Sequence, residues 1–322
     1  NRSRDRGPNE EPDEEFMAKT VAETIREIIR KHLEENNGLL FGQSIAAVGW
    51  VNNTVPDCRN IVEFPMADVS NMGIACGAAI SGRRPIIVIR FQDFMWLNSS
   101  PLVNYAAKSK DIFDVPMPIF VRSLSQENAA CVHSAVLHGI FMHMPGLRVA
   151  SPMTPLEYKA VWEDFMRHDD PMYVSEHRVS FKNSQEMPDI VNDAADVTLI
   201  PISAARFNVS AAARRLESEG MRCNIAHVVQ LKPLKLDNLA LALSKSKAGL
   251  VIDAGFEIAG ASQSIAYTLM RETGIPVAAL GLKDYSVGAS PETANSTPDA
   301  DRIANAAKGL FRHKEKYPIY YA

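Results

Sequence analysis

An α/β fold made of two parallel-sheet domains is what this sequence predicts, on three observations. Apolar runs of strand length alternate with segments of helical periodicity along most of the chain. The alternation pauses once, over residues 179–194, and then restarts. The chain has 322 residues, 46% of them hydrophobic, more than one simple core accommodates. The expected organisation is a disordered arm at 1–15, a first domain at 16–178, a linker at 179–194 and a second domain at 195–322.

Each element has its own signal. Residues 1–15 are charged, carry Pro and Gly, and have nothing to bury. Val21, Ile25, Ile28, Ile29 and Leu33 then recur at helical spacing up to Asn36-Asn37-Gly38, where Gly38 is expected to take the left-handed conformation that ends a helix. "LLFG" (39–42) and "PIIVIRF" (85–91) read as buried strands with the small-residue helix "GIACGAAISG" between them, and strand, helix, strand implies parallel pairing under helical cover. "NSSPLVNYAAKS" continues as helix and "MPIFVRS" as strand. Thr154-Pro155-Leu156-Glu157 supplies an N-cap, a Pro in the first turn and a capping Glu ahead of "YKAVWEDFMRH", the clearest helix start in the chain. "DPMYVSE" closes the first domain. The second alternates "DVTLIPI", "NVSAAARRLESEG", "RCNIAHVV", "KLDNLALALSKS", "AGLVIDA", "SQSIAYTLMRETG" and "IPVAAL" as strand and helix in turn.

Composition narrows the function. A net charge of −4 gives no basic field, so neither nucleic acid nor an anionic membrane is expected as partner. No apolar run is long enough to span a bilayer, and the first residues lack the hydrophobic core of a signal peptide, so a cytoplasmic location is expected. Four scattered cysteines without CxxC spacing support neither a disulfide framework nor a zinc site. A GxGxxG after a strand and a GxxxxGK[ST] are both missing, so any phosphorylated ligand is held in some other way.

The polar residues next to strand ends are the pool for chemistry: Gln43, Asp68, Asp93, His133, His138, His143, Glu176 and His177. Asp68, in "EFPMADVSNMG", reads either as a helix cap or as the acid of a site. His133 sits in a loop of the kind that lines pockets at the carboxyl ends of parallel strands, "SLSQENAACVHSA". The aromatic residues of "RFQDFMW" suit either the core or a stack on a flat ring. These features alone imply an α/β enzyme and no particular reaction.

"FPMADVSNMGIACGAAISGRRPIIVIRFQDF", "NYAAKS", "HSAVLHGIFMHMPGLRVASPMTPLEYKAVWEDFMRHDDPMYVSEHR" and the series "DVTLIPI", "LKPLKLDNL", "GLVIDAG" go further. Over residues 17–312 the chain resembles the beta subunit of the thiamine-diphosphate-dependent decarboxylating component of 2-oxoacid dehydrogenases, of the pyruvate, branched-chain and acetoin types. It is similar, more distantly, to the carboxyl-terminal half of transketolase. The resemblance implies a thiamine pyrimidine-binding domain followed by a transketolase carboxyl-terminal-like domain. It also implies decarboxylation of a 2-oxoacid with acyl transfer to lipoamide.

The resemblance assigns roles residue by residue. Asp68 stands where the family has the Glu that hydrogen-bonds the thiamine pyrimidine, one methylene shorter here, and that carboxylate favours the imino tautomer of the ring. Phe94 matches the aromatic residue beside the pyrimidine. Gln43 occupies the place of the Glu of a Gly-Glu-Asp motif, a second departure. His133 matches the imidazole that assists substrate-derived intermediates, and His143 a structural or subunit-contact position. The Gly-Asp-Gly to Asn motif that holds Mg2+ and diphosphate is absent, so no metal ligand is expected on this chain. Instead an alpha-type partner in an α2β2 heterotetramer would supply it, with a lipoyl acyltransferase downstream and a 2-oxoacid or ketose as substrate. A split transketolase-like or acyloin-forming carboligase and a non-catalytic scaffold are the alternative readings.

Overall fold

The computed structural model describes residues 18–46, 51–127, 131–288 and 294–312, and the arm expected at 1–15 lies outside them. The first part of the chain forms α1 (Val21–Glu35), β1 (Leu39–Gln43), β2 (Ile61–Phe64), α2 (Asp68–Ile80), β3 (Pro85–Ile89), α3 (Met95–Pro101), α4 (Ala107–Phe113), β4 (Phe120–Ser125), α5 (His138–Met142), β5 (Arg148–Ala150), α6 (Pro155–Arg167) and β6 (Met172–His177). The remainder forms β7 (Ala195–Pro201), α7 (Arg206–Ser218), β8 (Cys223–Ile225), β9 (Gln230–Lys232), α8 (Asp237–Ser244), β10 (Ser246–Phe256), α9 (Ala261–Thr273), β11 (Val277–Leu282) and α10 (Ala300–Arg312).

Two sheets result, as the alternation implies. The first has the order β2-β1-β3-β4-β6-β5-β9 and the second β11-β10-β7-β8. Among the described residues every strand pairing is parallel except β5 with β9, so Gln230–Lys232, which follows two strands of the second sheet in sequence, returns to edge the first. Period-two alternation explains why the central strands read as unbroken apolar runs. Ile86 and Val88 enter one core with α1 and α6, whereas Ile87 and Ile89 enter another with α2 and α5 that continues into β7, β10 and α9. A third core packs α7 and α10 on the far face of the second sheet. The domains thus share one continuous apolar layer.

Local details follow from side-chain chemistry, with three revisions. Thr20 caps α1 in a full capping box, but the left-handed residue at its far end is Asn37, not Gly38. Gly38 is required for a different reason: a Cβ there would stand 2.3 Å from the His32 ring. At α6 Thr154 accepts the Glu157 N–H as expected, while the Glu157 carboxylate accepts from Met153 N at 2.9 Å and also binds Arg206 of the second domain. The helix begun by "NSSPLVNYAAKS" widens into a π-turn at Leu102–Ala106, directly after Pro101, which has no N–H to offer the ladder.

Candidate functional site

The carboxyl ends of β1 and β3 and the start of α2 enclose one cleft. Gln43 closes β1, Asp68 opens α2, and Phe94 belongs to the short 3₁₀ turn that follows β3. All three line two contiguous cavities, the outer one of about 380 Å³. The fold therefore brings Gln43 together with Asp68 and Phe94, the two residues that the resemblance places beside a pyrimidine.

Asp68 is not the N-cap of α2. Ala67 holds that position without a side-chain bond, and Asp68 is the first helical residue. Its Oδ1 accepts from Asn98 Nδ2 at 2.8 Å, and Asn98 also donates to Phe94 O at 3.0 Å. Oδ2 has no hydrogen-bond partner among the described residues. Glu63, the other nearby acid, has its carboxylate engaged by Ile45 N and Ala46 N at 3.1 Å. Arg90 lines the inner cavity with its guanidinium 5.9 Å from the Phe94 ring centroid; burial lowers its pKa, and Glu63 and Asp68 oppose that shift.

His133 stands one ring away. Its imidazole stacks on Phe91 at 4.9 Å and meets the edge of Phe94 at 4.9 Å. Asp93 Oδ2 contacts His133 Nδ1 at 2.5 Å. His133 Nε2 has no partner among the described residues, and Asp93 Oδ1 is buried without one. Of the aromatic residues in "RFQDFMW", Phe91 is buried in the core, whereas Phe94 is half-buried and lines the cleft.

The rest of the pool lines neither of these two cavities. Glu176 is buried in a pair with Arg122, His138 is buried between Ser175 and Asp253, and His143 is exposed at the end of α5. His177 is buried and accepts the Val179 N–H; burial, helped by His138 and Arg178, lowers its pKa to about 4. Burial pushes the Cys76 thiol up to about 11 and Cys223 up to about 12, which leaves both unreactive near neutral pH.

Sequence reasoning missed Asn98 as the clamp on Asp68 and left Asp93 unassigned. Only the i, i+4 spacing of Phe94 and Asn98 hinted at the first. The Asp93–His133 pair is separated by 40 positions and had no local signal. Among the described residues no group of three or more His, Cys, Asp or Glu is placed to hold a metal ion, and no helix is long and apolar enough to cross a membrane.

Residues 23–183 match the family model for the transketolase pyrimidine-binding domain, and residues 188–303 that for the transketolase C-terminal domain. The chain is 29% identical over 208 residues to the beta subunit of acetoin:2,6-dichlorophenolindophenol oxidoreductase from Cupriavidus necator, covering 60% of this chain and 62% of that protein. It is 30% identical over 211 residues to the beta subunit of 2-oxoisovalerate dehydrogenase from Bacillus subtilis, covering 60% and 64%. The match to the pyruvate dehydrogenase E1 component subunit beta of Rickettsia felis is 24% identical and covers 66% and 70%. The alignment thus spans about three fifths of the length of the acetoin-type relatives. A solved structure described as a split gene transketolase, inactive beta4 tetramer, shares the fold at a TM-score of 0.72, with 17% identity over 91% of this chain and 98% of that one.

Proposed function

This chain belongs to the family of transketolase-like proteins and beta subunits of thiamine-diphosphate-dependent 2-oxoacid dehydrogenases, and on that premise we propose that it is the beta half of an enzyme that decarboxylates a 2-oxoacid and passes the acyl group to lipoamide. The observation that carries this reading is the convergence of Gln43, Asp68 and Phe94 on one cleft, one ring away from the His133–Asp93 pair.

The residues present fit the thiamine pyrimidine: an aromatic face, a carboxylate oxygen with no partner among the described residues, and a neutral amide share one cavity. Bound thiamine diphosphate supplies the electron sink on which a 2-oxoacid loses carbon dioxide. Asn98 holds one oxygen of Asp68, and the other would accept a hydrogen bond from a ring N–H of the pyrimidine. Phe94 offers a flat face for stacking, and Gln43 lines the same cavity without adding charge. Asp93 orients His133 through Nδ1, leaving Nε2 to hold or deliver a proton at the carbonyl oxygen of the substrate.

Magnesium and the diphosphate fall to an alpha-type partner in an α2β2 assembly. The outer wall of the cleft suits such a partner, since Met66 is 83% exposed and Val69, Trp96 and Leu97 are all more than half exposed beside it.

Reconstitution with the alpha-type chain tests this reading. Calorimetry should detect tight binding of magnesium and thiamine diphosphate only after the partner is added, and 2-oxoacid turnover should require a lipoyl acceptor. Ketose cleavage or acyloin formation without lipoamide would replace the dehydrogenase by a carboligase, and a loaded complex without turnover would leave a scaffold.

A further inference from the structure

A second pocket, outside the cleft, lies where the two domains meet. It encloses about 360 Å³ between the end of β10, the start of α9 and the start of α5. Leu137, Ile140, Phe256 and Ile258 are among its apolar walls, and Asp253 and Asp284 are its carboxylates; among the described residues no Lys, Arg or His lines it. Gly139 permits its shape, because a Cβ there would stand 3.0 Å from Ala261 N and 3.3 Å from Gly260 Cα.

Asp253 is the polar centre of this pocket. Its side chain is 1% exposed, and Oδ2 accepts from His138 Nε2 at 2.9 Å. Oδ1 is buried and has no hydrogen-bond partner among the described residues. A buried carboxylate oxygen without a donor is unfavourable, and a donor brought by a ligand removes the deficit. Two acids in a lining that contains no Lys, Arg or His among the described residues select a positive head, and the apolar walls select a hydrocarbon body.

The same carboxylate is tied to the catalytic loop. His138, donating through Nε2, accepts at Nδ1 from Ser175 Oγ at 3.2 Å, and Ser175 Oγ accepts from Gln92 Nε2 at 2.7 Å. Gln92 Oε1 in turn accepts the N–H of Leu137 at 2.7 Å, and Leu137 lines the pocket. Gln92 sits between Phe91, on which His133 stacks, and Asp93, which binds its Nδ1.

We propose that this interdomain pocket binds a small apolar amine as its ammonium ion, with the head on Asp253, and that occupancy is transmitted through His138, Ser175 and Gln92 to the loop carrying Asp93 and Phe94. The chain is a contiguous set of hydrogen bonds whose geometry an added donor at Asp253 alters at one end.

Titration calorimetry on the full chain, with 3-methylbutylammonium and the isosteric 3-methylbutanol as probes, tests the site. The ammonium ion should bind at least about tenfold more tightly than the alcohol, the margin expected of a charge-assisted bond. Asp253→Asn should lower that affinity by about tenfold as well. Because Asp253→Asn also disturbs His138, Ile258→Trp serves as the second variant: Ile258 is 63% exposed, so the larger ring fills the pocket mouth and should abolish binding without lowering the melting temperature. Hydrogen exchange at the Leu137 amide should slow with the ammonium ion in the wild type and not in Ile258→Trp. Equal affinity for alcohol and ammonium, or undiminished binding in Ile258→Trp, overturns the site. Binding with unchanged exchange at Leu137 overturns the coupling. Neither arm uses cofactor or partner chain, so their failure is separate from failure of the proposed reaction.

Discussion

Glu176 and Asp68 are both carboxylates of the first domain, and their surroundings are opposite. Glu176 is 1% exposed and saturated: Arg122 Nε and Tyr158 OH donate to Oε1 at 2.8 and 2.6 Å, and Arg122 Nη2 donates to Oε2 at 2.8 Å. Burial, with the charge of Glu176, pushes the Tyr158 phenol well above its ordinary range, so it stays a donor. Asp68 is half-buried and takes one bond from Asn98, and its other oxygen has no hydrogen-bond partner among the described residues. A carboxylate whose donors are all supplied by the fold holds the fold, and one left short of donors is available for chemistry.

The sharpest way to break this contrast is to neutralise each acid in turn. Glu176→Gln leaves the buried Arg122 without its counter-charge and should cost about 3–5 kcal/mol of stability, read from denaturant unfolding. Asp68→Asn keeps the Asn98 bond and caps nothing, so its melting temperature should stay close to wild type. Turnover of the assembled enzyme should nevertheless fall by about 10² to 10⁴-fold. A destabilised Asp68→Asn, or a fully active one, would erase the distinction between the two acids.

Asp93 gives an intermediate case, since one oxygen holds His133 and the other is buried without a partner. Asp93→Asn should lower kcat by roughly 10- to 100-fold by loosening the imidazole, with cofactor affinity unchanged. A loss of cofactor binding instead would mark Asp93 as part of the cleft wall rather than a positioning residue for His133.

The contrast was invisible in the sequence, where both acids stood in one pool. Strands were legible where apolar runs were long enough to fill two cores, as in "PIIVIRF". Those missed had weak patterns: β2 is an edge strand with Val62 and Glu63 exposed, and β5 and β9 have three residues each. The antiparallel return of β9 to the first sheet depends on a tertiary contact with no local code. Gln43 and Asp68 stood in the pool of polar residues, but only the family resemblance joined them to Phe94, because 51 positions separate the first from the last and the parallel sheet brings them together. Asn98 and Asp93 gain meaning only from the partners that the fold gives them.

The smallest predicted effect concerns the seam between the domains, where polar saturation depends on pH. Arg206 forms a two-pronged pair with Glu157 of α6 and donates through Nε to His227 Nδ1 at 3.0 Å. Burial, with the adjacent Arg206 charge, lowers the His227 pKa to about 3. The native state therefore keeps this imidazole neutral, whereas the unfolded chain takes up a proton below about 6.5. The sign follows: the contribution is complete above the unfolded value and declines as pH falls from there towards 3, by on the order of 1 kcal/mol per pH unit at most. His227→Gln retains an oxygen acceptor for Arg206 and removes the titration, so the melting temperature of this variant should fall less steeply between pH 6.5 and 4.5 than that of the wild type. His177, lowered to about 4 by burial, remains in the variant and should preserve part of the slope. Parallel curves for the two proteins would show that His227 is solvated enough to titrate normally, and that Glu157 alone keeps Arg206 in place.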